Sequence, residues 1–202
     1  MKKRYITAAI SVFAALSMCL CAVSQTKQQK LAQKLIRLHV VANSDTQEDQ
    51  RVKLLVRDAV LCAAADALEG EHDPEAALRK NLSAIERAAN ETLASLGSGD
   101  TAKVSFKREL FPTREYETFR LPAGVYRSLR VTIGAGEGHN WWCVVFPALC
   151  LPANAEDFEM VCEAAGFTEE EISVLTEESG EIEVEFKTLE LLGKLKKIFL
   201  DA

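Results

Sequence analysis

The stretch LIRLHVVANSDTQEDQRVKLLVRDAV, residues 35–60, changes its period halfway along. Ile36, Leu38 and Val40 alternate with Arg37 and His39, the two-residue period of a strand with one buried face. That run stops at Ala42-Asn43. Asp45, with Glu48 three residues later, then has the form of a capping box that starts a helix. Val52, Leu55, Val56, Ala59 and Val60 fall at helical spacing and predict a helix running to Leu68, before Gly70 to Asp73 break it. A strand that feeds an amphipathic helix through a polar turn needs a second layer to cover both.

Further along, Pro74 suits the first turn of a second helix. Leu78, Leu82, Ile85, Ala89, Leu93 and Leu96 line its apolar face up to the stop at Gly97-Ser98-Gly99. The period then returns to two, with Val104 and Phe106 set between Lys103, Ser105 and Lys107. Pro112 to Gly124 is a charged excursion with two prolines, expected to be a loop between strands or a mobile flap. In GVYRSLRVTI (124–133), Val125, Leu129, Val131 and Ile133 share one face, with Tyr126, Ser128, Arg130 and Thr132 on the other. WWCVVF (141–146) is apolar on both faces, as a central strand would be. Gly134 to Asn140 is expected to join these two strands as a glycine-rich hairpin loop.

Helical stretches follow near 157–165 and 169–176, then an alternating strand at Ile182, Val184 and Phe186 and a closing helix over 188–199. The expected fold is α+β, a mixed α/β layer. It has a largely antiparallel sheet of about 4–5 strands with amphipathic helices packed on one face. One globular domain over residues 36–202 is expected after a polar spacer at 25–35.

Residues 1–24 differ from the rest. Lys2, Lys3 and Arg4 precede an apolar run from Ile6 to Val23, and Ala22-Val23-Ser24 offers small residues for cleavage before Gln25. The segment reads as a signal peptide or, uncleaved, an N-terminal membrane anchor. Leu16-Ser17-Met18-Cys19 has the outline of a lipoprotein signal, but Met18 is bulky where a small residue is wanted. Either way the body is expected outside the cytoplasm, secreted or held by that segment. The chain's net charge is −6, and the body without this basic segment is more acidic still. That excludes nucleic acid and anionic lipid headgroups as partners.

Of six cysteines, Cys19 and Cys21 lie in the export segment. Cys62, Cys143, Cys150 and Cys162 remain as possible disulfide cysteines, with buried free thiols as the alternative. In one fully extended strand Cys143 and Cys150 would lie about 23 Å apart, so pairing them needs a turn, for which Pro147 is the local candidate. No C-x-x-C occurs, which removes zinc-ribbon and thioredoxin signatures.

Gly134-x-Gly136-x-Gly138 is followed by a strand, so no helix N-terminus is available to hold a pyrophosphate, and no cofactor is assigned. His139 and Cys143 could form a thiol–imidazole pair with His39 or Asp45 as orienter, but residues four apart in one strand sit about 13 Å from each other. A zinc site from His39, His139 and an acid lacks tight ligand spacing, so neither catalytic nor metal residues are assigned. Of Trp141 and Trp142, one ring faces the core and the other solvent or a covering helix. Beside the glycine loop such a ring has the composition of a recognition site. The candidate partner-binding residues are His139, Asn140, Trp141 and Trp142, with His39, Asn43, Ser44 and Asp45 as a second edge. The competing reading is an exported hydrolase or cell-wall-acting enzyme using His39, His139 and Cys143 or Asp45.

IRLHVVANSD (36–45), EDQRVKLLVRDAV (48–60), LPAGVYRSLRVTIGAGEGHNWWCVVFPALC (121–150) and EVEFKTLELL (183–192) resemble the stage II sporulation protein R family of endospore formers. The resemblance covers Ile36 to Cys150 in order and resumes near Glu183, leaving 151–181 without a family pattern. It implies a signalling protein made in the forespore and exported into the space between forespore and mother cell. There it would activate a membrane-embedded aspartic protease of the stage II sporulation protein GA type, which cleaves pro-sigma-E. On that reading the chain is a ligand and not an enzyme.

Overall fold

A computed structural model describes residues 28–149 and 155–176. Its elements run α1 (28–34), β1 (Ile36–Val41), α2 (Gln47–Leu68), α3 (Pro74–Lys80), α4 (Leu82–Ser95), β2 (Ala102–Phe111), β3 (Arg114–Glu115), β4 (Arg120–Leu121), β5 (Gly124–Ile133), β6 (Asn140–Phe146), α5 (Ala155–Ala164) and α6 (Glu169–Thr176). The fold is α+β, as expected. A four-stranded sheet has the order β2-β5-β1-β6, and β3 and β4 form a separate two-stranded ribbon. The sheet is mixed: β1 runs parallel to β5 and antiparallel to β6, and β2 is antiparallel to β5.

The sheet separates two cores. On one face Ile36, Leu38, Val40, Leu129 and Val131 pack under Val56 and Val60 of α2 and Ile85 and Leu93 of α4. Each such side chain, fully removed from water, contributes roughly 1.5–3 kcal/mol. α2 starts at Thr46, whose hydroxyl accepts the Asp49 N–H at 3.2 Å. The cap is therefore Thr46 and not Asp45, one residue later than the sequence pattern indicates. The α2 terminus at Leu68 is as expected. The single helix expected from Pro74 to Leu96 divides at Asn81, whose amide donates to the Ala77 carbonyl at 2.9 Å and competes with the helix ladder.

The second face carries its own cover. Leu31, Ala32 and Leu35 from α1 and the following residue, Phe119 and Leu121 from the ribbon, and Phe158 and Ile172 from α5 and α6 form a second buried cluster. Several expectations change here. β1 is buried on both faces, not one, because it lies inside the sheet. β6, read as central, is an edge strand among the described residues; its two apolar faces reflect cover by both cores. The 112–124 excursion is neither loop nor flap but holds the β3–β4 ribbon, pinned by buried Phe119 and Leu121. Val125, expected inward, is exposed, while Tyr126 is fully buried and donates its hydroxyl to the Pro122 carbonyl at 2.7 Å. The spacer reading of 25–35 also changes from residue 31 on, where Leu31, Ala32 and Leu35 are buried.

Cys143 is disulfide-bonded, whereas Cys62 and Cys162 are free thiols, so those two are removed from the disulfide candidates. Burial pushes the Cys162 thiol up to about 11. The expected helices near 157–165 and 169–176 are α5 and α6. The export segment, Cys150, the strand at 182–186 and the helix at 188–199 lie outside the described residues. No helix among the described residues is long and apolar enough to cross a membrane.

Candidate functional site

The topology decides where the site forms. β5 and β6 are not neighbours, because β1 lies between them, so Gly134–Asn140 is not a hairpin loop. It crosses the C-terminal end of β1 instead, and there it meets the Asn43-Ser44-Asp45 turn. The Glu137 N–H donates to the Asn43 carbonyl at 3.1 Å and the Gly138 N–H to the Ala42 carbonyl at 3.0 Å. The Asn43 side chain accepts the Ala135 N–H at 2.9 Å, and Asp45 Oδ1 accepts the His139 N–H at 2.6 Å. A Cβ on Gly138 would lie 2.2 Å from the Ser44 carbonyl oxygen, so glycine is what lets the two backbones close.

The turn is braced from beneath. Asp49 accepts from Ser44 Oγ at 2.5 Å and from Asn43 Nδ2 at 3.1 Å. These bonds, the one from Ser44 foremost, hold its carboxyl below the usual carboxylate range. Lys53, buried in α2, donates to the His139 carbonyl at 2.9 Å, and burial lowers its pKa. The Asp45 carboxyl and the His139 ring meet through Oδ1 and Nδ1, and both side chains stay exposed, 54% and 76%. Asn140 is exposed beside them.

The tryptophans divide as one-in, one-out. Trp142 lies half-buried on the second face, stacked on His39 with ring centroids 3.8 Å apart and edge-on to Phe111 at 4.8 Å. Trp141 faces α2, 37% exposed, with the Arg57 guanidinium 4.5 Å from its ring centroid. His39 is buried, and its Nε2 lies 2.7 Å from Asn140 Oδ1, an acceptor, which places the ring proton on Nε2. Its Nδ1 then accepts from Arg130 Nη1 at 3.2 Å, and Arg130 pairs with Glu109 at 2.8 Å. Burial above all, helped by the Arg130 charge, holds His39 below its ordinary pKa and neutral. Burial alone would raise Glu109, but Ser128, Arg130 and Lys107 together hold its carboxyl below the ordinary value.

All eight partner-binding candidates therefore gather at one end of the sheet, in distinct roles. Asp45, His139, Asn140 and Trp141 are open to a partner. Asn43 and Ser44 brace the turn, and His39 and Trp142 support Asn140 from the second face. Sequence reasoning missed Lys53, Glu109, Arg130 and Arg57. Lys53 carried a signal, since it shares helical spacing with buried Val56, Val60 and Ala64. Arg130 and Glu109 carried none, because only strand pairing sets Arg130 opposite His39.

Cys143 does not act with His139. It is bridged and faces the first core, 5% exposed, which removes the thiol nucleophile of the hydrolase reading. Among the described residues no group of three or more His, Cys, Asp or Glu is placed to hold a metal ion. What the site presents is a polar, partly aromatic surface on a rigid support.

Residues 32–156 match the family model of stage II sporulation protein R. The stage II sporulation protein R of Bacillus subtilis (strain 168) is 34% identical over 131 residues, an alignment covering 63% of this chain and 58% of that relative. The chain thus spans less than two thirds of the curated relative it matches. No solved structure matches the chain significantly.

Proposed function

The chain belongs to the stage II sporulation protein R family, a family of sporulation proteins, and from that premise we propose that it is an exported signal of endospore formation. On this reading residues 1–24 carry it across the forespore membrane. The body activates a membrane-embedded aspartic protease of the stage II sporulation protein GA type, which then processes pro-sigma-E. The chain performs no bond-making step itself.

One observation carries the reading: two loops 94 residues apart in sequence are welded into one surface that leaves Asp45 and His139 exposed. Backbone hydrogen bonds hold the loops rigid, so the projecting side chains lose little freedom when a partner docks. A ligand that binds the active state of the protease more tightly than the inactive one shifts it by that difference in affinity, with no chemistry of its own.

Co-expression in a non-sporulating host with the candidate protease and pro-sigma-E tests this. Processing is expected with the full chain and lost without it or without residues 1–24. His139→Ala is expected to fold and be exported yet weaken activation by about 5–30-fold, the reach of an interface side chain worth 1–2 kcal/mol. Processing that ignores the chain, or full activation by the variant, overturns the partner or the site respectively.

A further inference from the structure

An apolar groove of about 800 Å³ lies between α2, the end of β6 and α5, away from the partner surface. Leu61 and Leu68 form one wall, Val145 and Phe146 the floor, and Val161 and Ala165 the other wall. It is large enough to bury several side chains of a docked segment, and open apolar surface of this kind marks an interaction site. Its rim is acidic. Asp58 is paired with Arg57, but Asp66 and Glu69 make no ion pair among the described residues. An occupant should therefore be apolar along one stripe and basic beside it.

The chain itself continues into such a segment. Leu192, Leu195 and Phe199 follow an i, i+3, i+7 pattern, and Leu191 and Ile198 widen the stripe, the anchor spacing of a helix laid in a groove. Lys187, Lys194, Lys196 and Lys197 accompany it, with Glu190 as the one acid between 187 and 200. The tether is long enough. α6 ends at Thr176 and packs on α5, which is itself a wall of the groove. The residues from Thr176 to Lys187 can span about 36 Å extended, against a helix α5 about 15 Å long.

We propose that residues 187–200 of this chain dock in this groove, apolar stripe inward and lysines against Asp66 and Glu69. The docked segment seals the seam between α2 and α5 and so ties the two cores together. It also covers Cys62, an exposed free thiol that lines the groove. The inference is independent of the partner reading.

Cys62 is the natural reporter. Its alkylation rate, followed by peptide mass mapping, is measured in the full chain, in a Leu192→Asp/Leu195→Asp variant and in an Asp66→Lys/Glu69→Lys variant. The parent is expected to react slowly and both variants on the order of tenfold faster, as protection by a locally docked element is lost. The rim substitutions lie on exposed positions, so that arm survives if the leucine variant misfolds. A Leu195→Cys chain treated with a short bis-maleimide is expected to cross-link to Cys62 within one molecule, independent of concentration. Equal rates in all three chains overturn the proposal. So does protection that grows with protein concentration, which would assign the groove to a second copy, or protection that appears only when the candidate protease is added.

Discussion

His39 shows how one buried side chain gives the site a pH limit. Its pKa in the fold lies below the ordinary value of 6.5 because burial and Arg130 disfavour the cation. The unfolded chain therefore takes up that proton more readily than the folded one. The stability His39 contributes is fully present above about pH 6.5 and is lost as pH falls below it toward the folded value. The melting temperature should drop on going from about pH 7.5 to about 5.5, as the unfolded chain takes up the proton that the folded site disfavours on His39. His39→Phe, which keeps a ring against Trp142 but does not titrate, should flatten that slope; an unchanged slope would assign it elsewhere. Arg37 poses the opposite case. It is fully buried, 4.2 Å over the Phe111 ring, and among the described residues it has one hydrogen bond, to Tyr116, with Nε and Nη1 unpaired. Its guanidinium is held below the usual pKa by burial. A desolvated charge without a carboxylate adds little to stability, so Arg37→Met should cost no more than about 1 kcal/mol in urea unfolding. A loss of about 3 kcal/mol would show that the aromatic cage outweighs the orphaned donors.

Among the elements, the crossing loop and the β1–α2 turn act as one unit. Gly138→Ala puts a methyl group against the Ser44 carbonyl and must displace one strand end or the other. A loss of about 1–3 kcal/mol is expected, together with weakened activation, because Asp45 and His139 part. In a double-mutant cycle, Asp45→Ala and His139→Ala should each weaken activation but combine to less than their sum, since each removes the other's partner. Simple additivity would mean that the protease reads two separate patches. The elements themselves were legible because their signals are local: period two in β1 and β5, period 3.6 in α2 and α4. Strand order was not, because nothing in GAGEGHN says that β1 inserts between the strands it joins. The cap was misread for a physical reason. Asp45 with Glu48 and Thr46 with Asp49 offer the same pattern one residue apart, and the structure uses Thr46 for the helix, which frees Asp45 for His139. The site's composition was visible in sequence, but its convergence depends on that strand order.

For the molecule as a whole, the sheet is a shared wall. β1 gives Leu38 to one core and Arg37 and His39 to the other side; β6 gives Cys143 and Val145 to the first and Val144 to the second. Damage on one face should therefore not stay there. Phe158 is fully buried on α5 and stacks on Phe119 of the ribbon at 4.9 Å, on the face opposite α2 and α4. Phe158→Ala should cost about 3–5 kcal/mol, as aromatic truncation in a packed core does. Because the central strands belong to both cores, the loss should appear as one cooperative transition at lower temperature. Tryptophan fluorescence, which reads Trp141 beside α2 and Trp142 beside His39, should then coincide with far-ultraviolet circular dichroism, which reads the helices. If the transitions instead separated, with helical signal surviving after the tryptophans are exposed, α2 and α4 would form an independent unit. The Asp45–His139 surface, carried on the ends of β1 and β6, would then depend on the second core alone.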